Sequence, residues 1–514
     1  MVLVAVPIAG DSAEAVAAAA FKAAAGGADL VEVRLDQCAR RADDRARLAA
    51  IVAAIPTLAV PAIATARHGD EKGEWPWDEA ARIACLAAAD EAGAAYVDLE
   101  FAQSAATPWR PTRAKLILSH HDFAGMGTDL AGLVERMAQA GADICKIAVT
   151  ALDAADLAVI EALYAPAAKP LIAIAMGEYG MPSRILAGAW GAFLTFARLD
   201  DEEGTAPGQP FLRDLLRLYR VRAQGPQTRI FGVIGNRVQH SLSPLVHNAA
   251  FASHALDAVY VPFQCEDPVA FWRACGGWID GLSITIPHKE ALLDEVDQVE
   301  PLARRIGAIN TIYRDDAGRT VGANTDASAA CACVEVLAGT LAGRRAIILG
   351  AGGVARAVAY ALADKGAVVT ITNRNLERAQ VLAAEIGATA VAYESAGATP
   401  YDILINGTPS GMGEDDNTPW PWTHRPDSIV FDTVYTPLET RLIKEAQMAH
   451  ATTICGLSMF IGQAVQQYQR FTGIDAPETL MQRLALERLS GGHQTDQHLK
   501  HTTATFDKKF GVGP

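Results

Sequence analysis

The chain contains 514 residues, enough for roughly two to four domains that each bury a core. Its 44 Lys and Arg residues against 59 Asp and Glu residues give a net charge of −15, which argues against a surface built to neutralise nucleic-acid phosphates. With 50% hydrophobic and 20% charged residues, the composition excludes a disordered or collagenous chain and is typical of a folded globular protein.

The N-terminal residues and the cysteines predict a cytoplasmic protein. The apolar start has no basic residue before it and stops at Pro7, unlike a signal peptide. No stretch stays apolar for the roughly 18 residues that a membrane helix needs. The eight cysteines contain no CxxC pair, so we expect reduced thiols and no metal site. The expected partners are therefore small molecules, with no nucleic acid and no membrane, and the oligomeric state stays open.

Residues 1–222 alternate short β-rich runs with alanine-rich helical stretches, a pattern that builds parallel sheets. The predicted strands are Val2–Val6, Asp29–Leu35, Ala62–Ala66, Tyr96–Leu99, Lys115–Ser119, Asp143–Val149, Pro170–Met176 and Ala192–Ala197. Eight such β/α units in this length predict an N-terminal TIM (β/α)8 barrel, whose active site would lie at the C-terminal ends of the strands.

The sixth predicted strand carries Lys146 in an otherwise apolar run, where a charged ammonium is costly. Such a lysine is either ion-paired or serves as an amine that attacks a ketone. Glu32 and Arg34 share one face of the second strand, because side chains repeat every two residues. Other polar residues stand at or near strand ends: Arg67, His121, Arg184 and Gln209. This set suits an anionic, hydroxylated carbonyl substrate.

Several motifs of residues 1–222 resemble type I 3-dehydroquinate dehydratase: Val31–Asp36, Tyr96–Glu100, Ser119–Phe123, Asp143–Lys146 and Ala206–Gln209. The resemblance implies that Lys146 forms a Schiff base with the substrate ketone, while His121 removes the α-proton and assists loss of water. It implies that Glu71 orients His121 and that Arg184 binds the substrate carboxylate. The residues implied to contact hydroxyls or the ketone are Glu32, Arg34, Arg67, Thr205 and Gln209.

This region differs from the family pattern after the third strand and carries a second histidine beside the proposed base. The Glu-Gly-Gly of the family, after the third strand, reads Glu71-Lys72-Gly73 here. His120 directly precedes His121, and strand alternation predicts a rim or structural role for it. For the barrel alone, a Schiff-base aldolase is an alternative, which would cleave a carbon–carbon bond without loss of water.

Residues 223–228 form a short polar linker with a Gly-Pro turn, and a new strand-like run starts at Arg229. Further on, a strand from Arg345 opens onto the G-x-G-x-x-A pattern of Gly350, Gly352, Gly353 and Ala355. Such a turn lets a pyrophosphate approach the N-terminus of the next helix, although a Gly-rich turn can also occur without a ligand. We therefore predict a Rossmann unit.

The next predicted strand ends at Asn373 and Arg374, with Arg378 one turn further on. No acidic residue stands where a ribose-binding carboxylate would be expected, and the two arginines would pair with a 2′-phosphate. The sequence therefore favours NADP over NAD as the cofactor.

Lys289 and Asp326 lie in two short, unusual segments upstream of the Gly-rich turn, 281–289 and 322–326. A surface ion pair is the default interpretation for any Lys and Asp, but these contexts favour the acid/base pair that oxidation of a hydroxyl needs.

Residues 229–490 resemble shikimate dehydrogenase through several motifs, including Asn406–Met412, Asp432–Pro437 and Gly456–Gln463. The resemblance implies that substrate is bound by Ser241, Ser243, Thr285, Asn310 and Gln463. Ser283 replaces an asparagine of the family, as in the fused plant enzymes, and Ala329 replaces a glycine. The predicted domains are a dehydratase barrel (1–222), a substrate-binding domain (229–325), an NADP-binding Rossmann domain (326–455), returning helices (456–490) and a disordered tail (491–514).

Together the two resemblances imply a bifunctional α/β enzyme. It would dehydrate 3-dehydroquinate to 3-dehydroshikimate and reduce that product with NADPH to shikimate. Two alternatives remain at this point: a fused enzyme whose dehydrogenase half prefers quinate, and an NADP-binding regulatory protein with an inactive barrel.

Overall fold

The computed structural model describes residues 1–39, 41, 43–199 and 208–491. By internal contacts the chain divides into two compact units. The first comprises Met1–Gly232, Asn236–Gln239 and Asp257–Ile279, and the second comprises Val233–Gly235, His240–Leu256 and the chain from Asp280 onward. Thr205 and nearly all of the predicted tail, 492–514, lie outside the described residues. The domain boundaries given above stay a prediction.

The first unit contains an eight-stranded parallel sheet, with strands β1 (Leu3–Ile8), β2 (Leu30–Arg34), β3 (Ala62–Thr65), β4 (Tyr96–Glu100), β5 (Lys115–Asp122), β6 (Ile144–Thr150), β7 (Leu171–Met176) and β8 (Leu194–Phe196). The strand order is β7-β6-β5-β4-β3-β2-β1-β8. Beside β8 and β7, the Phe193 N–H donates to the Leu171 carbonyl at 2.9 Å, so the barrel is nearly closed. The predicted TIM barrel is confirmed.

The helices of the barrel are α1 (Ala13–Ala25), α2 (Leu35–Cys38), α3 (Arg45–Ala54), α4 (Glu79–Ala92), α5 (Phe101–Ser104), α6 (Leu130–Gln139), α7 (Leu157–Ala162), α8 (Met181–Ile185) and α9 (Ala187–Trp190). Three of these helices begin with a side-chain cap: Ser12 accepts from the N–H of Ala15 at the start of α1, Asp78 accepts from the N–H of Ala81 at the start of α4, and Asp129 accepts from the N–H of Gly132 at the start of α6.

In strands β2–β6, one face carries an apolar residue that is followed by a polar one, whereas the corresponding faces of β7 and β8 are apolar throughout. In β6 that face carries Ile144 and then Lys146, and in β5 it carries Ile117, Ser119 and His121. The apolar residues near the strand starts belong to one buried cluster inside the barrel. Because parallel strands all end on one side, the polar residues collect at the C-terminal end of the barrel.

After the barrel the elements are β9 (Arg229–Gly235), α10 (Ser243–Ser253), β10 (Ala258–Gln264), α11 (Pro268–Cys275), β11 (Gly281–Ile284), β12 (Gln298–Val299), α12 (Pro301–Ile306), β13 (Thr311–Arg314) and β14 (Thr320–Ala323). In the first unit, α11 packs against the helical turn Ala154–Asp156 of the barrel. In the second unit, β13 pairs antiparallel with β11 and β14, and β12 pairs parallel with β14.

The rest of the second unit consists of α13 (Thr325–Ala338), β15 (Arg345–Leu349), α14 (Gly353–Asp364), β16 (Val368–Asn373), α15 (Leu376–Ile386), β17 (Thr389–Ala392), β18 (Ile403–Asn406), β19 (Ile429–Asp432), α16 (Arg441–Met448), β20 (Thr452–Ile454), α17 (Gly456–Thr472) and α18 (Glu478–Leu489). Strands β15–β20 form a parallel sheet of order β17-β16-β15-β18-β19-β20. This is the Rossmann order, as predicted. In the described part of the chain, every helix is too short or too polar to cross a lipid bilayer.

Candidate active sites

Lys146 lies inside the barrel and is 5% exposed. Its Nζ donates to Asp98 Oδ2 at 2.8 Å and to Glu32 Oε1 at 3.4 Å, and it stands 4.8 Å from the centre of the Phe196 ring. Thr65 Oγ1 also donates to Glu32 Oε1, at 2.9 Å. The lysine is thus held between two buried carboxylates, with an aromatic wall beside it.

Arg67, which follows β3, contacts side chains of the neighbouring strands β4 and β5. Its guanidinium donates to both carboxylate oxygens of Asp98, at 3.0 and 3.1 Å, and to Ser119 Oγ at 2.8 Å. A further hydrogen bond of 2.9 Å runs to Glu100, which also accepts from Arg82 at 2.7 Å. Burial raises the pKa of Asp98, but the charges of Arg67 and Lys146 outweigh it and hold that pKa well below its ordinary value.

His121 and Glu71 form the second group of the barrel site. His121 Nδ1 lies 2.7 Å from Glu71 Oε2; the Glu71 side chain is buried, and that of His121 is 11% exposed. Burial, followed by the positive charges of Arg67 and Lys146, holds the pKa of His121 well below 6.5, so the imidazole is neutral at physiological pH. Burial raises the pKa of Glu71 to about 8, although Arg67 opposes the rise. A neutral imidazole with one ring nitrogen fixed is suited to act as a base.

Of the other residues predicted for this site, Arg34 ends β2, and Arg184 lies in α8, the helix that follows β7. Arg184 is 2% exposed and donates to the Ala175 carbonyl at 3.0 Å, while its Nε has no hydrogen-bond partner among the described residues. A buried cation with an unused donor is suited to bind an anion. Arg34 forms a two-point contact with Asp36, at 2.8 and 3.0 Å. Gln209 is buried, and Thr205 is not described.

Three residues of the barrel site were not assigned from the sequence: Asp98, Glu100 and Ser119. They lie in motifs that the sequence analysis quoted, and Asp98 and Glu100 alternate with apolar residues in β4. Two carboxylates two residues apart on a buried strand face were the available signal, because such charges need cationic partners.

The second unit contains a cleft of about 470 Å³. Its lining includes residues predicted to bind substrate or cofactor, or to transfer protons: Ser241, Ser243, Thr285, Lys289, Asn310, Asp326, Gly352, Gly353 and Gln463. Lys289 Nζ donates to Asp326 Oδ2 at 2.6 Å, and both side chains are about nine-tenths buried. Residues from separate elements therefore meet around one buried Lys–Asp pair.

The Asn310 side chain lines the cleft and is held by hydrogen bonds. Its Oδ1 accepts from the Thr325 N–H and the Thr311 hydroxyl at 2.8 Å, and its Nδ2 donates to Thr325 Oγ1 at 2.9 Å. Thr325 directly precedes Asp326 at the start of α13, so this network also fixes the position of the carboxylate.

The cleft residues to which the sequence analysis gave no role include Ser283, Tyr435 and Gln467. Ser283 Oγ donates to Gln467 Oε1 at 2.8 Å, and Gln467 Nε2 donates to the Asn310 carbonyl at 3.1 Å. Gln467 lies one helical turn after Gln463, on the same side of α17, and this spacing was the signal that could have found it.

The Gly-rich turn joins β15 to α14. Gly350 has φ +107, a backbone conformation that strongly favours glycine, and Gly352 is the N-cap of α14. A Cβ on Gly353 would lie 3.5 Å from Lys289 Cδ, so the start of α14 adjoins the Lys–Asp pair. Asn373 ends β16 and donates to the Asn375 carbonyl.

Arg374 and Arg378 follow β16 at the surface. Neither guanidinium is ion-paired within the described residues, so both are available to an anionic ligand. With the free N–H groups of the first turn of α14, they fit a dinucleotide that carries an extra phosphate.

The fold and the two sites define an enzyme that combines a lysine-dependent barrel with a nucleotide-dependent dehydrogenase. Residues 4–226 match the type I 3-dehydroquinase family. Three further family models match the rest of the chain. They describe the shikimate dehydrogenase substrate binding domain (residues 233–312), shikimate/quinate 5-dehydrogenase (residues 333–411) and the shikimate 5′-dehydrogenase C-terminal domain (residues 456–486).

The chloroplastic bifunctional 3-dehydroquinate dehydratase/shikimate dehydrogenase of Arabidopsis thaliana is 39% identical over 505 residues, covering 93% of this chain and 83% of the relative. The chain therefore belongs to the family of bifunctional 3-dehydroquinate dehydratase/shikimate dehydrogenases. The shikimate dehydrogenase (NADP(+)) of Halorubrum lacusprofundi is 44% identical, covering 49% of this chain and 96% of the relative. The solved dehydroquinate dehydratase and shikimate dehydrogenase of S. pombe AroM has a TM-score of 0.43 and 22% identity, covering 94% of this chain and 98% of that one.

Proposed function

We propose that this chain dehydrates 3-dehydroquinate to 3-dehydroshikimate in its barrel and reduces that product to shikimate with NADPH in its second unit. The observation that carries the proposal is the presence, in one chain, of two sets of proton-transfer groups in hydrogen-bond contact: His121 with Glu71 near the buried Lys146, and Lys289 with Asp326 in the cleft.

In the barrel, Lys146 first gives its ammonium proton to one of the two carboxylates that it contacts, Glu32 or Asp98. The free amine then attacks the substrate ketone, and loss of water gives an iminium ion. The iminium withdraws electrons from the adjacent C–H bond, so that the neutral His121 can remove the proton. The proton is then passed to the leaving hydroxyl, which departs as water, and hydrolysis of the iminium frees Lys146 and the product. Glu71 keeps the imidazole ring in one orientation, and the buried Arg184 pairs with the substrate carboxylate.

In the second unit, the Gly350–Gly353 turn and the first turn of α14 would hold the cofactor pyrophosphate, while Arg374 and Arg378 would hold its 2′-phosphate. NADPH supplies the hydride that reduces the ketone. Lys289 donates the proton that the new alkoxide requires, and Asp326 holds its ammonium in place. The substrate is bound by Ser241, Ser243, Thr285, Asn310 and Gln463. The hydrogen-bonded pair Ser283–Gln467 holds Asn310 in position through the Asn310 carbonyl.

We propose shikimate and not quinate as the product of the second unit. Ser243 and Thr285 line the cleft, and we expect their side chains to discriminate against the additional hydroxyl of quinate. We further propose that the protein works in a reducing compartment such as the cytoplasm, since each of the eight cysteines, all of which lie within the described residues, is outside any disulfide bond.

A coupled assay tests the two activities. With 3-dehydroquinate alone, absorbance of the enone product should rise, and with NADPH added, the nicotinamide should be oxidised as shikimate forms. An enone signal without NADPH oxidation would leave only the dehydratase, and cleavage of a carbon–carbon bond would indicate an aldolase. Faster turnover of quinate than of shikimate in the reverse direction would overturn the substrate assignment.

Trapping with borohydride tests the role of Lys146. Borohydride reduces an iminium to a stable amine, so treatment in the presence of 3-dehydroquinate should add a mass that peptide mapping finds on Lys146. Lys146→Ala should abolish both the adduct and dehydration, whereas Lys115→Ala, which removes an exposed lysine from the start of β5, should change neither. Dehydration at the normal rate by Lys146→Ala would contradict the proposal.

A further inference from the structure

Lys72 occupies a backbone position that is unusual for a lysine. It ends the short turn Gly69–Glu71 with φ 59 and ψ 30, the left-handed conformation that favours glycine. The next residue must be glycine, because a Cβ at Gly73 would lie 1.8 Å from the Arg67 carbonyl oxygen. Position 72 has the backbone of a glycine but carries a long cationic side chain next to Glu71.

The Lys72 side chain reaches an aromatic ring near the barrel site. Its Nζ lies over the Phe123 ring, 4.3 Å from the ring centre, at a distance at which a cation is attracted to the π face. Phe123 follows β5 and is partly buried against the apolar cluster inside the barrel. The strained backbone at position 72 is thus accompanied by a specific contact.

Phe123 in turn contacts the imidazole ring of His121. The two residues are two positions apart, and their ring planes are inclined by 16° with centres 6.3 Å apart. His121 is held from another side by Glu71, whose Oε2 lies 2.7 Å from Nδ1. Glu71 and Lys72 are consecutive residues of one turn, so a single turn contacts the imidazole directly through Glu71 and indirectly through Phe123.

We propose that Lys72 is a positioning residue of the dehydratase site, which keeps Phe123 against His121 and so fixes the imidazole for proton transfer. This inference rests on the dehydratase function proposed above. Lys72 does not touch the Lys146 amine, and its effect is expected in the turnover step, after substrate has bound. Loss of its charge should therefore lower kcat, whereas KM should change little.

Three variants test this role. Lys72→Met keeps the length of the side chain without the charge and should lower kcat for dehydration about two- to fivefold, the range given by one exposed cation–π contact. Lys72→Arg keeps a cation over the ring and should restore kcat to the wild-type range. Lys115→Met removes a different exposed lysine and is the matched control, with no expected effect.

A double-mutant cycle with Phe123→Leu shows whether the effect passes through the ring. If it does, Lys72→Met should cause no further loss of kcat in the Phe123→Leu background. Shikimate oxidation and the thermal midpoint, measured on the same proteins, should stay at their wild-type values in the Lys72 variants.

Four results would overturn the inference: wild-type kcat in Lys72→Met, a loss confined to KM, no rescue by arginine, or losses that multiply in the double mutant. A loss confined to KM would instead indicate attraction of the anionic substrate by the ammonium. A wild-type protein without dehydratase activity would overturn the proposed function itself, which is a different outcome from an active enzyme that tolerates Lys72→Met.

Discussion

Glu71 and His121 share a short hydrogen bond, and the protonation of Glu71 decides which imidazole nitrogen is free. An ionised Glu71 accepts the Nδ1 proton and leaves a lone pair on Nε2, whereas a protonated Glu71 donates to Nδ1 and leaves Nε2 protonated. Since burial raises the pKa of Glu71 to about 8 and holds that of His121 well below 6.5, the form with a free Nε2 gains population as pH rises through about 8.

We therefore expect kcat/KM for dehydration to rise with pH up to and past about 8. Glu71→Gln cannot ionise, so this rise should disappear from the pH–rate profile of that variant. The profile of shikimate oxidation by the same protein serves as the control and should keep its wild-type shape. A rise near pH 8 that persists in Glu71→Gln would assign the titration to another group.

At the scale of single residues, the sequence indicated some buried charges better than others. Lys146 was prominent because it interrupts an apolar strand, and the predicted alternative of an ion-paired lysine also describes its geometry, since it contacts Asp98 and Glu32. The contacts of Arg67 with Asp98 and Ser119 join residues 31 and 52 positions apart in the chain. Such contacts depend on which strands are neighbours and how they are staggered, so local spacing could not predict them.

At the scale of elements, the alternation of strands and helices predicted the barrel sheet, and the Gly-rich turn after the strand from Arg345 predicted the Rossmann sheet. In the barrel, the differences lie at strand ends. Strand β5 continues to Asp122, three residues beyond the predicted end at Ser119, because polar residues at the barrel mouth remain in the ladder with β6. In the second unit, Ala329 of α13 faces Gly462 of α17, with a Cβ at Gly462 only 3.3 Å from the Ala329 Cβ. The alanine that replaces the glycine of the family is thus accommodated by a glycine on the opposing helix.

Arg374 lies in the connection from β16 to α15, and we expect it to determine the choice between NADPH and NADH. Arg374→Ala should raise the KM for NADPH about ten- to a hundredfold, because a charge-assisted contact to a phosphate is worth about 1.5–3 kcal/mol. The KM for NADH, which lacks the 2′-phosphate, should stay nearly unchanged. Arg441→Ala, which removes another exposed arginine from α16, is the matched control. Equal increases for both cofactors would give Arg374 a structural role.

At the scale of the whole molecule, the proposed catalytic groups fall into separate compact units, with Lys146, His121 and Glu71 in the first and Lys289 and Asp326 in the second. A substitution in either set should therefore change one activity and leave the other intact. The division into units itself could not be read from the linker at 223–228, because residues 257–279 belong with the barrel through packing that no local sequence signal reveals.

Because the two sets of groups lie in separate units, dehydratase activity is an internal control for substitutions of Lys289 and Asp326. Lys289→Ala and Asp326→Asn should each lower kcat for shikimate oxidation by a factor of about 10²–10⁴, as expected for loss of acid–base catalysis. Because the two side chains are in contact at 2.6 Å and act on one proton, the double variant should be little slower than the slower single variant. NADP binding, measured by fluorescence titration, and dehydration of 3-dehydroquinate should be retained in all three proteins. Losses that multiply, or that appear only in KM, would instead make Lys289 and Asp326 independent contacts to the substrate and would require a different proton donor in the cleft.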